Sequence, residues 1–179
     1  LETVDEDMRK TMNKKIPLEA YSKSNAILNK HNIEALNSVM IGLPGETEEN
    51  VWKTLNFLSK ARDVKQANFA IATPYPGTKF HEMAISGEGG MKLVSDNFTE
   101  YKRYGQAVTK VNNLGPNDLV RLQNEGFVSI YIKHWRWWSV VKKHGIIGLI
   151  LTFYRIIKMF KDKIKYKTTN FSKRLSPKY

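Results

Sequence analysis

The chain has 179 residues, 41% of them hydrophobic, and no cysteine. It can bury a core, but it holds no disulfide, no zinc-thiolate site and no cysteine-ligated iron–sulfur cluster of its own. Its net charge of +12 is uneven: residues 1–130 carry 16 Lys/Arg and 16 Asp/Glu, whereas residues 131–179 carry 13 Lys/Arg against Asp162 alone. A neutral globular part followed by a basic one points to an anionic partner surface or a solvated tail. The chain begins at Leu1 without a signal-peptide pattern, and a piece of a longer protein is expected.

Residues 3–14 predict a helix, with Thr3 as its cap, Glu6 completing a capping box and Met8 and Met12 on one face. Pro17 opens a second helix that carries Leu18, Tyr21, Ala26, Ile27 and Leu28 and ends near Lys30–Asn32. The nearly continuous apolar run of Leu36, Val39, Met40, Ile41 and Leu43 predicts a strand covered on both faces, as in a parallel sheet. Gly42, Pro44 and Gly45 stop it, and the two glycines allow a sharp turn and close approach of a ligand. Thr47 is the expected N-cap of a helix from Glu48 to Ala61, in which Val51, Leu55 and Leu58 recur at helical spacing. Glu48 and Glu49 suit the positive end of that helix.

A second short strand over residues 67–72 closes with Thr73-Pro-Tyr-Pro-Gly-Thr78. Strand, helix and strand joined by short links predict parallel pairing with a right-handed crossover. Both Gly/Pro loops then lie at one rim, beyond the carboxyl ends of the strands, where α/β folds bind ligands. Two parallel strands alone are expected to leave both outer edges unsatisfied. Further on, residues 79–97 read as a short helix and a loop at Gly87–Gly90, and 98–113 are ambiguous. Leu114-Gly-Pro-Asn-Asp118 is a break in which Asn117 or Asp118 can cap the next helix, with Leu119, Leu122, Phe127, Ile130 and Tyr131. Trp135, Trp137 and Trp138 follow, then an amphipathic stretch at 146–161 with Ile146, Ile150, Phe153, Ile157 and Phe160 on one stripe.

The run MNKK, the strand ending in IGLPGETEEN and the next ending in ATPYPGT resemble the later half of a radical S-adenosylmethionine (SAM) domain. The closest group is the one whose members often carry a cobalamin-binding domain, including relatives of anaerobic magnesium-protoporphyrin ester cyclase and hopanoid-modifying enzymes. The resemblance spans roughly residues 1–85 and extends loosely into LGPNDLVRLQNEGF. It implies an α/β fold, the C-terminal portion of a partial (β/α)6 barrel, followed by an α-helical basic extension. The domains it implies are a barrel part at 1–85, a helical extension at 86–161 and a flexible basic tail at 162–179. By position, Ser38, Met40, Gly42, Leu43, Pro44, Gly45 and Glu46 stand at the family's fifth-strand motif. There Ser38 replaces a glycine and Met40 a branched aliphatic residue. Thr73, Pro74, Tyr75 and Gly77 stand at the sixth-strand end. Both groups imply contact with SAM or substrate. The family's C-x-x-x-C-x-x-C motif is absent, so the [4Fe–4S] cluster, and any cobalamin, would be held outside this chain. The implied activity of the whole protein is reductive SAM cleavage followed by radical modification or methylation.

Plainer readings stand beside this one. Gly42–Glu46 can be a structural turn, Glu46 can merely face the helix start, and Tyr75 reads first as a packed turn residue. A different α/β-barrel enzyme binding a phosphate at GLPGET also remains. His31, His81, His134 and His144 lack ligand spacing, so no metal site is expected. For residues 130–161 the readings, in order, are core and lid helices, a membrane-surface element, and a nucleic-acid-binding segment. The expected partners are a small-molecule or lipid-like substrate and a membrane surface met peripherally through 131–165. The expected location is cytoplasmic, at or near the inner membrane face. The rival function is a non-catalytic basic adaptor for membranes or nucleic acid.

Overall fold

A computed structural model of the protein describes residues 1–132 and the helical residues 145, 147, 150, 154 and 157. The chain divides into two compact units, Leu1–His134 and Trp135–Tyr179. The expectations for His134, His144, the tryptophans at 135–138, Ile146, Phe153, Phe160 and the tail at 162–179 lie outside the described residues.

The first unit runs α1 (Glu6–Thr11), α2 (Leu18–Lys30), β1 (Leu36–Ile41), α3 (Glu48–Lys60), β2 (Gln66–Ile71), α4 (Lys79–Ser86), β3 (Met91–Leu93), β4 (Thr109–Val111) and α5 (Pro116–Phe127). It is a mixed α/β arrangement of two small sheets and five named helices among the described residues; a complete barrel is not part of it. α1 is shorter than its sequence suggests. Its cap is Asp5, whose side chain accepts from Met8 N, while Thr3 is buried and shares a hydrogen bond with Thr54 on α3. α5 is capped by Gly115, with Asp118 Oδ2 accepting from Gly115 N at 3.0 Å. Residues 98–113, ambiguous in sequence, contain β4, which pairs antiparallel with β3.

β1 and β2 pair in parallel with Leu36 opposite Gln66 and Ile41 opposite Ile71. One face of this sheet is closed. Val39, Ile41, Ala67, Phe69 and Ile71 pack against Val51, Leu55 and Leu58 of α3 and Leu119 and Leu122 of α5. Each such fully buried large apolar side chain contributes about 1.5–3 kcal/mol. Gly126 on α5 admits the Phe69 ring, since a Cβ there would come within 2.7 Å of it. The other face differs from the two-sided burial expected of β1: Leu36 and Ser38 are exposed and Met40 is half-buried. The run is apolar, but alternate strand positions face opposite ways, and α3 and α5 cover one side only.

The sheet's two edges also differ. The outer edge of β2 is closed by side chains. Tyr131 Oη accepts from Ala67 N at 3.1 Å and donates to Ala67 O at 2.8 Å. Gln123 Nε2 donates to Phe69 O at 2.6 Å and to Arg103 O at 2.9 Å, and Ile71 N donates to Arg103 O at 2.9 Å. The expectation of two unsatisfied edges therefore fails at β2. On the opposite edge, Met40 N donates to Glu2 O at 3.2 Å, so the first residues of the chain run alongside β1.

Candidate functional site

The strands end together: Ala72 N donates to Ile41 O at 2.8 Å, so the loops that follow leave the same rim. Leu43 and Ala72 are buried against Met8 of α1, with Met12, Met40 and Phe80 packed around them. This apolar cluster joins the beginnings of the two loops.

The first loop is folded around its own carboxylate. Glu46 is 1% exposed. Its Oε2 accepts from Gly42 N at 2.6 Å and Leu43 N at 3.2 Å. Burial pushes this carboxyl up to about 7, although the two N–H bonds oppose the shift; the negative charge of Asp5 adds to the rise. The Glu46 side chain thus lies inside the loop and not at the solvent end of the helix. Gly42 and Gly45 take positive φ, 89° and 78°. The missing side chain of Gly42 faces the core, where a Cβ would lie 3.3 Å from Leu119 Cδ1, and not an approaching ligand.

A second loop clamps the first from outside. Gly45 N donates to Gly89 O at 2.7 Å, and a Cβ on Gly89 would fall 2.7 Å from Pro44 Cβ. Asn112, in the left-handed region at φ 51°, donates from Nδ2 to Glu46 O at 3.0 Å and from its backbone N to Gly90 O at 2.8 Å. Neither Gly89 nor Asn112 is visible as part of the site from sequence; the Gly87–Gly90 cluster is the sole local signal. Downstream, Thr47 caps α3 as expected, accepting from Asn50 N while Asn50 Oδ1 accepts from Thr47 N.

The second Gly/Pro loop is open. Thr73 is half-buried, its Oγ1 donating to Ile71 O at 3.2 Å, and Pro74 is buried. Tyr75, Pro76, Gly77 and Thr78 are exposed. Thr78 N and Oγ1 both donate to Tyr75 O, and Thr78 Oγ1 accepts from His81 N to cap α4. The Tyr75 ring stands 6.1 Å from that of Tyr101, which is 5.2 Å from Phe98. Three aromatic rings therefore line up beside the rim, with Phe98 66% and Tyr75 47% exposed.

Below the rim, the uncovered face of the sheet carries Ser38 and Met40 on β1. Asn68, the register partner of Ser38, lies on β2. Asn68 Oδ1 is buried without a hydrogen-bond partner. A buried amide oxygen left unpaired is costly unless something supplies a donor, and Asn25 Oδ1 and Thr109 Oγ1 share that state; at the open sheet face it makes Asn68 a candidate for ligand contact. Sequence reasoning passed over Asn68; its alternation with Ala70 on the face opposite Phe69 was the available signal. Among the described residues no group of three His, Asp or Glu could hold a metal ion. No described helix is long and apolar enough to cross a membrane.

No protein-family profile matches the chain. It is similar to an uncharacterised methyltransferase of Pyrococcus horikoshii, with 31% identity over 133 residues, 70% of this chain and 28% of that protein. The chain thus spans little more than a quarter of the length of the relative it matches.

Proposed function

We propose that the chain is the C-terminal portion of a SAM-dependent methyl- or radical-transferring enzyme, with residues 1–85 forming the cofactor side. The observation that carries this reading is the shared rim. Two motifs that resemble those of SAM enzymes leave adjacent, parallel strand ends tied together at Ile41 and Ala72. Similarity to a protein named as a methyltransferase supports the SAM-using class. Glu2 already runs along the free edge of β1, the place where a preceding strand of a larger sheet would pair.

The residues suit the nucleoside part of SAM. The Ser38 hydroxyl and the Asn68 amide, with its unpaired Oδ1, sit opposite one another in register, and Met40 offers apolar contact beside them. Tyr75 and Tyr101 offer aromatic surface at the rim. Bound SAM supplies an activated methyl group. In this reading Ser38, Met40 and Asn68 orient the adenosine, and Tyr75 and Gly77 border its base at the rim. Gly42, Leu43, Pro44, Gly45 and Glu46 form the fixed support, while Thr73 and Pro74 set where the second loop leaves the sheet.

The finer reading is radical SAM chemistry in the cobalamin-associated group. A [4Fe–4S] cluster does not fit this chain, which has no cysteine. Its ligands, and any cobalamin site, belong in this reading to the rest of the polypeptide. The test is equilibrium binding of SAM to the complete polypeptide that contains this chain. Asn68→Ala should weaken binding by at least about fivefold, the scale of one lost buried hydrogen bond. Unchanged affinity in Asn68→Ala together with Ser38→Ala overturns the assignment of this face. Formation of 5′-deoxyadenosine under anaerobic reducing conditions separates the radical reading from ordinary methyl transfer.

A further inference from the structure

The described residues from Gly145 to Ile157 are helical, and four of them are large apolar side chains turned to solvent. Ile147 is 73% exposed, Ile150 61%, Tyr154 65% and Ile157 53%. Their spacing of three, four and three residues puts them on one stripe, within an arc of about 80° at 100° per residue. Such a stripe is rarely left bare on a soluble surface unless something covers it.

Charge indicates what that is. The stripe lies in the part of the chain, residues 131–179, that holds 13 Lys/Arg and one acidic residue. A nucleic acid would use the cations but has no place for a row of aliphatic side chains. A spanning helix needs ~20 apolar residues, and the run from Ile146 to Tyr154 is far shorter. An anionic bilayer takes both features together: apolar side chains enter the boundary between headgroups and acyl chains, and Lys/Arg meet the lipid phosphates. Tyr154, amphipathic itself, suits that depth, and Trp135, Trp137 and Trp138 precede it in the sequence.

We propose that the helix marked by Ile147, Ile150, Tyr154 and Ile157 is an in-plane anchor that docks on anionic lipid bilayers. It does not depend on which reaction the protein carries out.

The experiment is co-sedimentation of the 179-residue chain with vesicles of phosphatidylcholine alone and of phosphatidylcholine mixed with phosphatidylglycerol, at low and high salt. Binding is expected to the mixed vesicles, weakened by salt, with a blue shift of tryptophan emission. Ile150→Asp combined with Ile157→Asp should reduce binding about tenfold or more, because it places charge in the stripe. Both positions are exposed, and circular dichroism checks that the variant keeps its helix content. Ile147→Ser with Tyr154→Ser, which adds no charge, should weaken binding in the same direction. Failure to bind the mixed vesicles overturns the proposal. So does binding by both double variants as tight as that of the unaltered chain, which would mean adsorption through the basic residues alone. Tighter binding to duplex RNA than to vesicles, unaffected by either double variant, also overturns it and transfers the basic region to nucleic acid.

Discussion

In the loop at 42–46 the chain turns inward. Glu46 fills the turn, Gly42 and Leu43 donate their N–H groups to it, and Gly89 and Asn112 hold it from outside. In the loop at 73–78 the chain turns outward, with a short turn from Tyr75 to Thr78 and an exposed aromatic ring at its tip. Both follow parallel strands and both are built from Gly, Pro and Thr. The difference teaches that a conspicuous Gly/Pro motif can be conspicuous for folding alone. The donors of the first loop are already committed, Gly42 and Leu43 N to its own carboxylate, Gly45 N to Gly89 O and Glu46 N to Leu43 O, so they are not available to a ligand. In the proposed reading, contact falls to the second loop and to the uncovered sheet face.

Removing the carboxylate breaks the contrast most sharply. Glu46→Ala leaves the buried N–H groups of Gly42 and Leu43 without an acceptor. An orphaned buried donor costs about 1–3 kcal/mol, so a loss of about 2–4 kcal/mol in urea unfolding is expected. A loss under 1 kcal/mol would mean that water enters the turn. Gly89→Val attacks the clamp from the other side, because its Cβ would collide with Pro44 and its φ of 64° disfavours a branched residue. It should cost about 1–3 kcal/mol.

Elements with a local chemical signature were legible from sequence. Thr47 as the cap of α3 and a short helix ending before the loop at Gly87–Gly90 were both read from sequence, and the structure places α3 and α4 there. The parallel pairing of β1 and β2 followed from their spacing and is present. What depended on distant partners was not legible. Gln123 looks like an ordinary polar position and Tyr131 like one more apolar contact on a helix, yet they close the edge of a strand 54 and 64 residues away. β3 and β4, three residues each, are too short to show a period of two. Thr3 resembled a cap, but its hydroxyl is drawn to Thr54, and Asp5 takes the capping role. The shared rim was legible in the motifs, whereas the burial of Glu46 and its bonds to Gly42 and Leu43 depend on how the loop folds back on itself.

Titration gives a finer measure of the same loop. The Glu46 carboxyl is raised by burial to about 7 in the folded protein, above its unfolded value of 4.5. Between those values the folded state binds more protons than the unfolded state. The stabilisation is therefore complete below the unfolded value and is lost as pH rises through about 7. One proton accounts for at most about 1.4 kcal/mol per pH unit. Glu46→Gln keeps an acceptor oxygen for both N–H groups but cannot titrate. The wild-type protein should lose stability relative to Glu46→Gln between pH 5 and pH 8, as read by thermal unfolding. Parallel profiles would show that Glu46 does not change protonation there.

The smallest effect on stability is expected where the largest effect on ligand is predicted. Tyr75 is half exposed and touches Tyr101 only at 6.1 Å between ring centres. Tyr75→Ala should change unfolding stability by no more than about 0.5 kcal/mol. If the outward loop borders the cofactor or substrate, the same variant of the complete polypeptide loses aromatic contact with a planar base, a loss of about 1–3 kcal/mol in binding. Titration with SAM reads that loss directly, and Tyr75→Phe should restore most of it because the ring face and not the hydroxyl makes the contact. A Tyr75→Ala protein that is destabilised but binds SAM normally would invert the assignment: the second loop would then be structural like the first, and the ligand would have only Ser38, Met40 and Asn68 on the open face of the sheet.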